Sequence, residues 1–183
     1  MKNLQDLIPD YAKDLRINLG GLERTESLSE TQLYGTILAV AIATRSPRIV
    51  AAAEALAAER LDAANAEAAR TASALMGMNN IYFRFLHLSS NEAYGRLPPR
   101  LRMQGLANHG ANGLDFELWC LAVSAVNGCG MCVDSHERKL RTEGASEAQI
   151  QDAVRVAAIL HGAAAVIEAR AVPPLTESAG SAA

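Results

Sequence analysis

Asn127-Gly128-Cys129-Gly130-Met131-Cys132-Val133-Asp134-Ser135-His136-Glu137 is the stretch on which the reading of this 183-residue chain turns. Two cysteines sit three apart, and a histidine follows the second by four. Asn127-Gly128 reads as a break that opens a new helix. At 100° per residue, Cys129, Cys132 and His136 then share an arc of about 60°, and residues three and four apart on a helix touch. The cysteines fall in the first turn, where unpaired N–H groups and the helix dipole favour a thiolate. A thiol so placed beside a histidine drops from a pKa of about 8.5 to between roughly 3.5 and 7.5. A thioredoxin-type CxxC needs a βαβ context. No strand pattern flanks this one, so the pair belongs to a helical fold.

Composition agrees. Half of the chain is apolar, only 4% is aromatic, and alanine dominates. That favours closely packed helices over a β-sandwich. A net charge of -3 without a long basic run argues against nucleic acid as a partner. Met1-Lys2-Asn3-Leu4-Gln5-Asp6 lacks the apolar core of a signal peptide. No stretch of about 18 charge-free apolar residues predicts a membrane span. Three unevenly spaced cysteines are not a secreted disulfide framework. A cytoplasmic chain with one labile CxxC pair is expected.

In chain order, residues 3–19 read as one or two short amphipathic helices, ended by Gly20-Gly21. The capping box Ser29-x-x-Gln32 opens a helix over about 30–44 that is apolar enough to be buried on most sides. Ser46 with Pro47 starts the next. Asp62 caps another over about 63–76, which Met76-Gly77-Met78-Asn79-Asn80 interrupts or kinks before Ile81–Leu88 resumes. Residues 89–114 read as connection around a short helix at 100–107. Asp115 caps a helix through Asn127. The CxxC helix runs from about 129 to 143, with Gly144 as its C′ residue. Ser146-x-x-Gln149 opens a long helix to about 171, and Pro173-Pro174 stops it. The whole is one all-α domain over 1–172, with 173–183 as a flexible tail. Its halves, about 29–88 and 114–171, read as a degenerate repeat at a shift of 85. That shift puts Gln32, Pro47 and Ala51 opposite Glu117, Cys132 and His136.

The residues alone leave several chemistries open. Cys129, Cys132 and His136, with Glu117 or Cys120, could ligate zinc, but structural zinc usually brings a second ligand pair and none exists here. Cys120, between Trp119 and Leu121, reads as a small core hydrophobe. The other pair, beside glycines and polar residues, reads as redox-active or nucleophilic. By spacing, Glu117 reads as a carboxylate complementing its helix dipole. Antiparallel packing of the two helices would bring it within about a turn of His136. His161 reads as a core histidine, His87 as either buried or exposed, and His109 as exposed in a turn. Arg96, Arg100 and Arg102 read as a solvated basic patch able to steer an acidic partner.

The run Glu117-(eleven residues)-Cys129-Gly130-Met131-Cys132-(three residues)-His136-Glu137 resembles the carboxymuconolactone-decarboxylase-like superfamily, and within it the AhpD-type alkyl hydroperoxidases. Tyr11-Ala12-Lys13-Asp14, Met76-Gly77-Met78-Asn79-Asn80, Leu101-Arg102-Met103 and Phe116-Glu117-Leu118-Trp119 look like further landmarks of that family. The resemblance implies an all-helical repeat fold, a homotrimer, and a peroxidase that reduces alkyl hydroperoxides and is recycled by a lipoylated adaptor protein. It implies that Cys132 attacks the peroxide and becomes a sulfenic acid. Cys129 then acts as proton donor and resolves it to a Cys129–Cys132 disulfide, with Glu117 and His136 as proton relay. No bound cofactor or metal is implied. The best-known members carry a histidine where this chain has Met131. A disulfide reductase serving a partner peroxiredoxin and a zinc-stabilised helical scaffold are the alternatives.

Overall fold

The computed structural model describes residues 1–171 and, among them, eight α-helices joined by turns and short 3-10 segments, with no strand. Two short helices, α1 (Lys2–Gln5) and α2 (Lys13–Gly21), precede two helical trios. The first is α3 (Glu30–Thr44), α4 (Pro47–Arg60) and α5 (Ala63–Leu88). The second is α6 (Gly113–Val126), α7 (Gly130–Thr142) and α8 (Glu147–Ala171). The trios have matching lengths: 15, 14 and 26 residues against 14, 13 and 25. The expected proline stop and the tail at 173–183 lie outside the described residues.

Helices α3 and α6 form the centre, packed on each other and both on α5 and α8. Their sequences explain this, since each is apolar on every face and would be insoluble alone. Ile37, Leu38, Leu118 and Trp119 are fully enclosed, and each such side chain contributes roughly 1.5–3 kcal/mol by leaving water. The start of α3 is fixed by the expected capping box, with Ser29 Oγ accepting from Gln32 N and Gln32 Oε1 accepting from Ser29 N. Trp119 lies flat against α3 at Gly35 and donates its indole N–H to the Gln32 carbonyl at 3.3 Å. A Cβ on Gly35 would overlap the indole ring itself. Gly35→Ala is therefore expected to cost about 1–3 kcal/mol or more through overpacking, read as a lowered midpoint in chemical denaturation. An unchanged midpoint would mean that the α3–α6 contact yields easily.

Helix α8 is long and apolar enough to cross a membrane by composition. Its apolar residues are nevertheless a stripe at helical spacing, Ala153, Val156, Ala157, Leu160, Ala163, Ala164 and Ile167, and that stripe is buried in the core.

Several expectations are corrected. Helix α5 runs unbroken through Met76–Asn80. Gly77 faces open space, while Met76, Asn79 and Asn80 are buried, so packing holds the helix through its weakest former. Over 100–107 only the 3-10 turn Gln104–Leu106 forms. Asn112, not Asp115, caps α6 through its side chain, and Asp115 instead accepts from Gln32 Nε2 at 2.8 Å. The register of the repeat is 83, not 85. Ser46 and Cys129 are the N-caps of α4 and α7, and Arg45 and Gly128 just before them are both left-handed, at φ 61° and 66°. The first-half counterparts of Glu117, Cys132 and His136 are thus Tyr34, Ile49 and Ala53, all buried. His161 and His87 are exposed. His109 is partly covered and stacks on buried Phe116 at 3.9 Å between centroids, and burial pushes its imidazole pKa down.

Candidate active site

The break between α6 and α7 places the cysteines. Gly128 turns the chain at φ 66°, a conformation that glycine adopts without a Cβ penalty. Cys129 N–H donates to the Ser124 carbonyl at 3.1 Å, and Cys129 becomes the N-cap of α7, with the Cys132 N–H directed at its sulfur. The break is clamped from α5, one turn apart. Arg84 donates to the Asn127 carbonyl at 2.5 Å, and Asn80 bridges Ser124 and Asn127, each at 2.9 Å. The segment that reads as a helix interruption is thus the support of the CxxC turn.

Cys129 and Cys132 are joined as a disulfide, with Cα atoms 5.3 Å apart. Cys129 is fully enclosed. Cys132 is 6% exposed and lines a cavity of about 320 Å³ between α5, α7 and the 103–106 segment. The two sulfurs therefore differ in access, and Cys132 is the one a small molecule reaches. Cys120 is a core residue, as expected. It is fully buried, and burial pushes its thiol pKa well above the ordinary value.

His136 and Glu117 meet directly. His136 Nδ1 lies 2.7 Å from Glu117 Oε2. Lys139 Nζ donates to the other carboxylate oxygen at 2.6 Å. Both carboxylate oxygens are thus engaged by side chains of α7, a contact that spacing along α6 did not report. Burial alone would raise the Glu117 pKa. The hydrogen bonds and charges of His136 and Lys139 outweigh it, and the carboxyl is held below its usual range. With Glu117 accepting at Nδ1–H, the neutral imidazole keeps its lone pair on Nε2. That nitrogen lies 3.3 Å from Met76 Sδ, and His136 lines the cavity with Cys132. The arrangement is a buried carboxylate holding an imidazole beside a reachable sulfur.

Lys139 escaped the sequence reading. Cys132, His136 and Lys139 repeat at four and three, one stripe of α7, and that spacing was its only signal. Among the described residues, no cluster of three or more His, Cys, Asp or Glu side chains could hold a metal ion.

Glu117→Gln is expected to destabilise the fold by about 1–3 kcal/mol at neutral pH, the typical worth of hydrogen bonds to a charged group. The folded carboxyl titrates below the unfolded value of about 4.3, so its contribution is full above that value. It is lost as pH falls through the lower, folded pKa. Denaturation of both proteins at stepwise lower pH should show the gap closing in that acid window. A gap independent of pH would contradict the assigned ionisation.

Comparison with known proteins places this geometry. Residues 92–173 match the Carboxymuconolactone decarboxylase family. The alkyl hydroperoxide reductase AhpD of Bradyrhizobium sp. (strain BTAi1) is 55% identical over 172 residues, which are 94% of this chain and 95% of that protein. The chain belongs to the AhpD family. The AhpD of Solibacter usitatus is 50% identical over 94% of this chain and 98% of its own length. That of Rhodopseudomonas palustris (strain BisA53) is 54% identical over 92% of this chain and 93% of its own. The AhpD likeness therefore spans both helical trios.

Proposed function

We propose that this chain is a thiol peroxidase that reduces alkyl hydroperoxides through a Cys129–Cys132 dithiol–disulfide cycle. The observation that carries the reading is the difference between the sulfurs: Cys132 lines a cavity beside the His136–Glu117 pair, and Cys129 lies buried within bonding reach behind it. The Cys132 thiolate attacks the terminal oxygen of the hydroperoxide. An S–O bond forms, the O–O bond breaks, and the departing alkoxide takes a proton to leave as the alcohol. His136, carrying at Nε2 the proton taken from the Cys132 thiol, or Cys129 supplies that proton, and the other thiol proton leaves with the displaced hydroxide as water. The Cys129 sulfur then displaces water from the Cys132 sulfenic acid and closes the disulfide. A lipoylated adaptor protein returns the pair to dithiol, its own dithiol closing to the cyclic disulfide. A homotrimer working in the cytoplasm completes the proposal, from the family resemblance.

The test is steady-state consumption of cumene hydroperoxide by the reduced protein with a dihydrolipoyl donor and no other enzyme. Many turnovers per chain are expected. Consumption that begins only when a peroxiredoxin is added would replace this reading by that of a disulfide reductase.

A further inference from the structure

The stripe of α5 that faces the cavity is Met76, Asn79 and Phe83, spaced three and four apart. With Met103, Leu106 and Met131 opposite, the walls are apolar. Cys132, Ser135 and His136 of α7 and Asn79 of α5 are the polar members of the lining. Asn79 is 3% exposed, and its carbonyl oxygen is enclosed with no hydrogen-bond partner, the only such side-chain atom among the described residues. Its neighbour Asn80 bonds Ser124 and Asn127 at the break, a clamp in which Asn79 takes no part. An enclosed carbonyl oxygen without a partner is costly, and it calls for an explanation.

We propose that Asn79 is a substrate-binding residue whose carboxamide turns from its enclosed position to take the O–H of an apolar hydroperoxide and set its terminal oxygen against the Cys132 sulfur. This rests on the peroxidase reading above. A hydroperoxide has one donor hydrogen, and it sits on the oxygen that the sulfur attacks. One acceptor beside Cys132 therefore both orients the reacting bond and leaves the organic group to the apolar walls. The substrate class is thus a hydroperoxide with an apolar or aryl body, which the cavity volume can enclose.

The test uses the full-length, pre-reduced protein, with Asn79→Leu, Asn79→Ala and Phe83→Ala. Stopped-flow oxidation by cumene hydroperoxide and by hydrogen peroxide is compared with thiol alkylation by iodoacetamide, which needs a thiolate and no peroxide grip. Both Asn79 variants are expected to slow oxidation by both peroxides about 10- to 100-fold, the worth of one or two hydrogen bonds, at an unchanged alkylation rate. Asn79→Leu, near in volume and free of the unpaired amide, should melt at or above the wild-type temperature. Phe83→Ala should slow cumene hydroperoxide and leave hydrogen peroxide alone. Wild-type oxidation rates in the Asn79 variants would overturn the assignment, as would an equal fall in alkylation, which marks a structural role. Failure of the wild-type thiols to react with any hydroperoxide would instead sink the peroxidase reading.

Discussion

Cys132→Ser is expected to abolish hydroperoxide turnover, by on the order of 10⁴-fold or more, as removal of a covalent nucleophile does. Cys129→Ser should lose steady-state turnover too, but for a different reason and with a different product. Its Cys132 still lines the cavity and still reacts once. With no thiol behind it, the sulfenic acid persists, climbs to sulfinic acid in excess peroxide, or forms a mixed disulfide. In Cys132→Ser the remaining Cys129 is fully enclosed and should stay a thiol. Cys120→Ser should turn over close to wild type, since its thiol is buried with a raised pKa. Intact mass after one equivalent and after excess peroxide reads all three. An unmodified Cys129→Ser beside an oxygenated Cys132→Ser would reverse the roles.

His136→Phe and Glu117→Gln should each lower turnover by about 10²- to 10⁴-fold, the usual worth of a positioned acid–base group. Residues that act as one device are not additive. The double variant should therefore fall little below the worse single one, because Glu117 reaches the cavity only through its 2.7 Å contact with His136. Lys139, half-exposed and bonded to the same carboxylate, should matter less: Lys139→Met is expected to shift the acid limb of the pH profile upward, because Glu117 loses a charge that keeps it ionised. Full turnover in both single variants would leave the helix N-terminus as the sole activator of the thiol.

Much of the scaffold was legible because its signals are local. Ser29-x-x-Gln32, Ser46-Pro47 and Asp62 announce helix starts through hydrogen bonds within four residues, and all three form as expected. The all-apolar runs of α3 and α6 could only be core. The site was half legible. Cys129, Cys132 and His136 share a helix face by period alone, whereas the Glu117–His136 contact depends on how α6 and α7 pack. Met76–Asn80 read as an interruption because Gly77 and two asparagines are poor helix formers, and tertiary burial reversed that. Its hydrogen bonds go to residues more than forty positions away, which no local pattern reports. The repeat was visible as a pattern, but its register of 83 rested on two caps of unlike residue type, Ser46 and Cys129.

The central claim is tested most directly by adding one equivalent of cumene hydroperoxide to the fully reduced protein and mapping its cysteines by mass. The account predicts one equivalent of the alcohol, a protein lighter by two hydrogen atoms, and a single Cys129–Cys132 disulfide that a dihydrolipoyl donor reopens, with Cys120 untouched. Unconsumed hydroperoxide over three intact thiols, or oxidation at Cys120 with the CxxC pair still reduced, would contradict it.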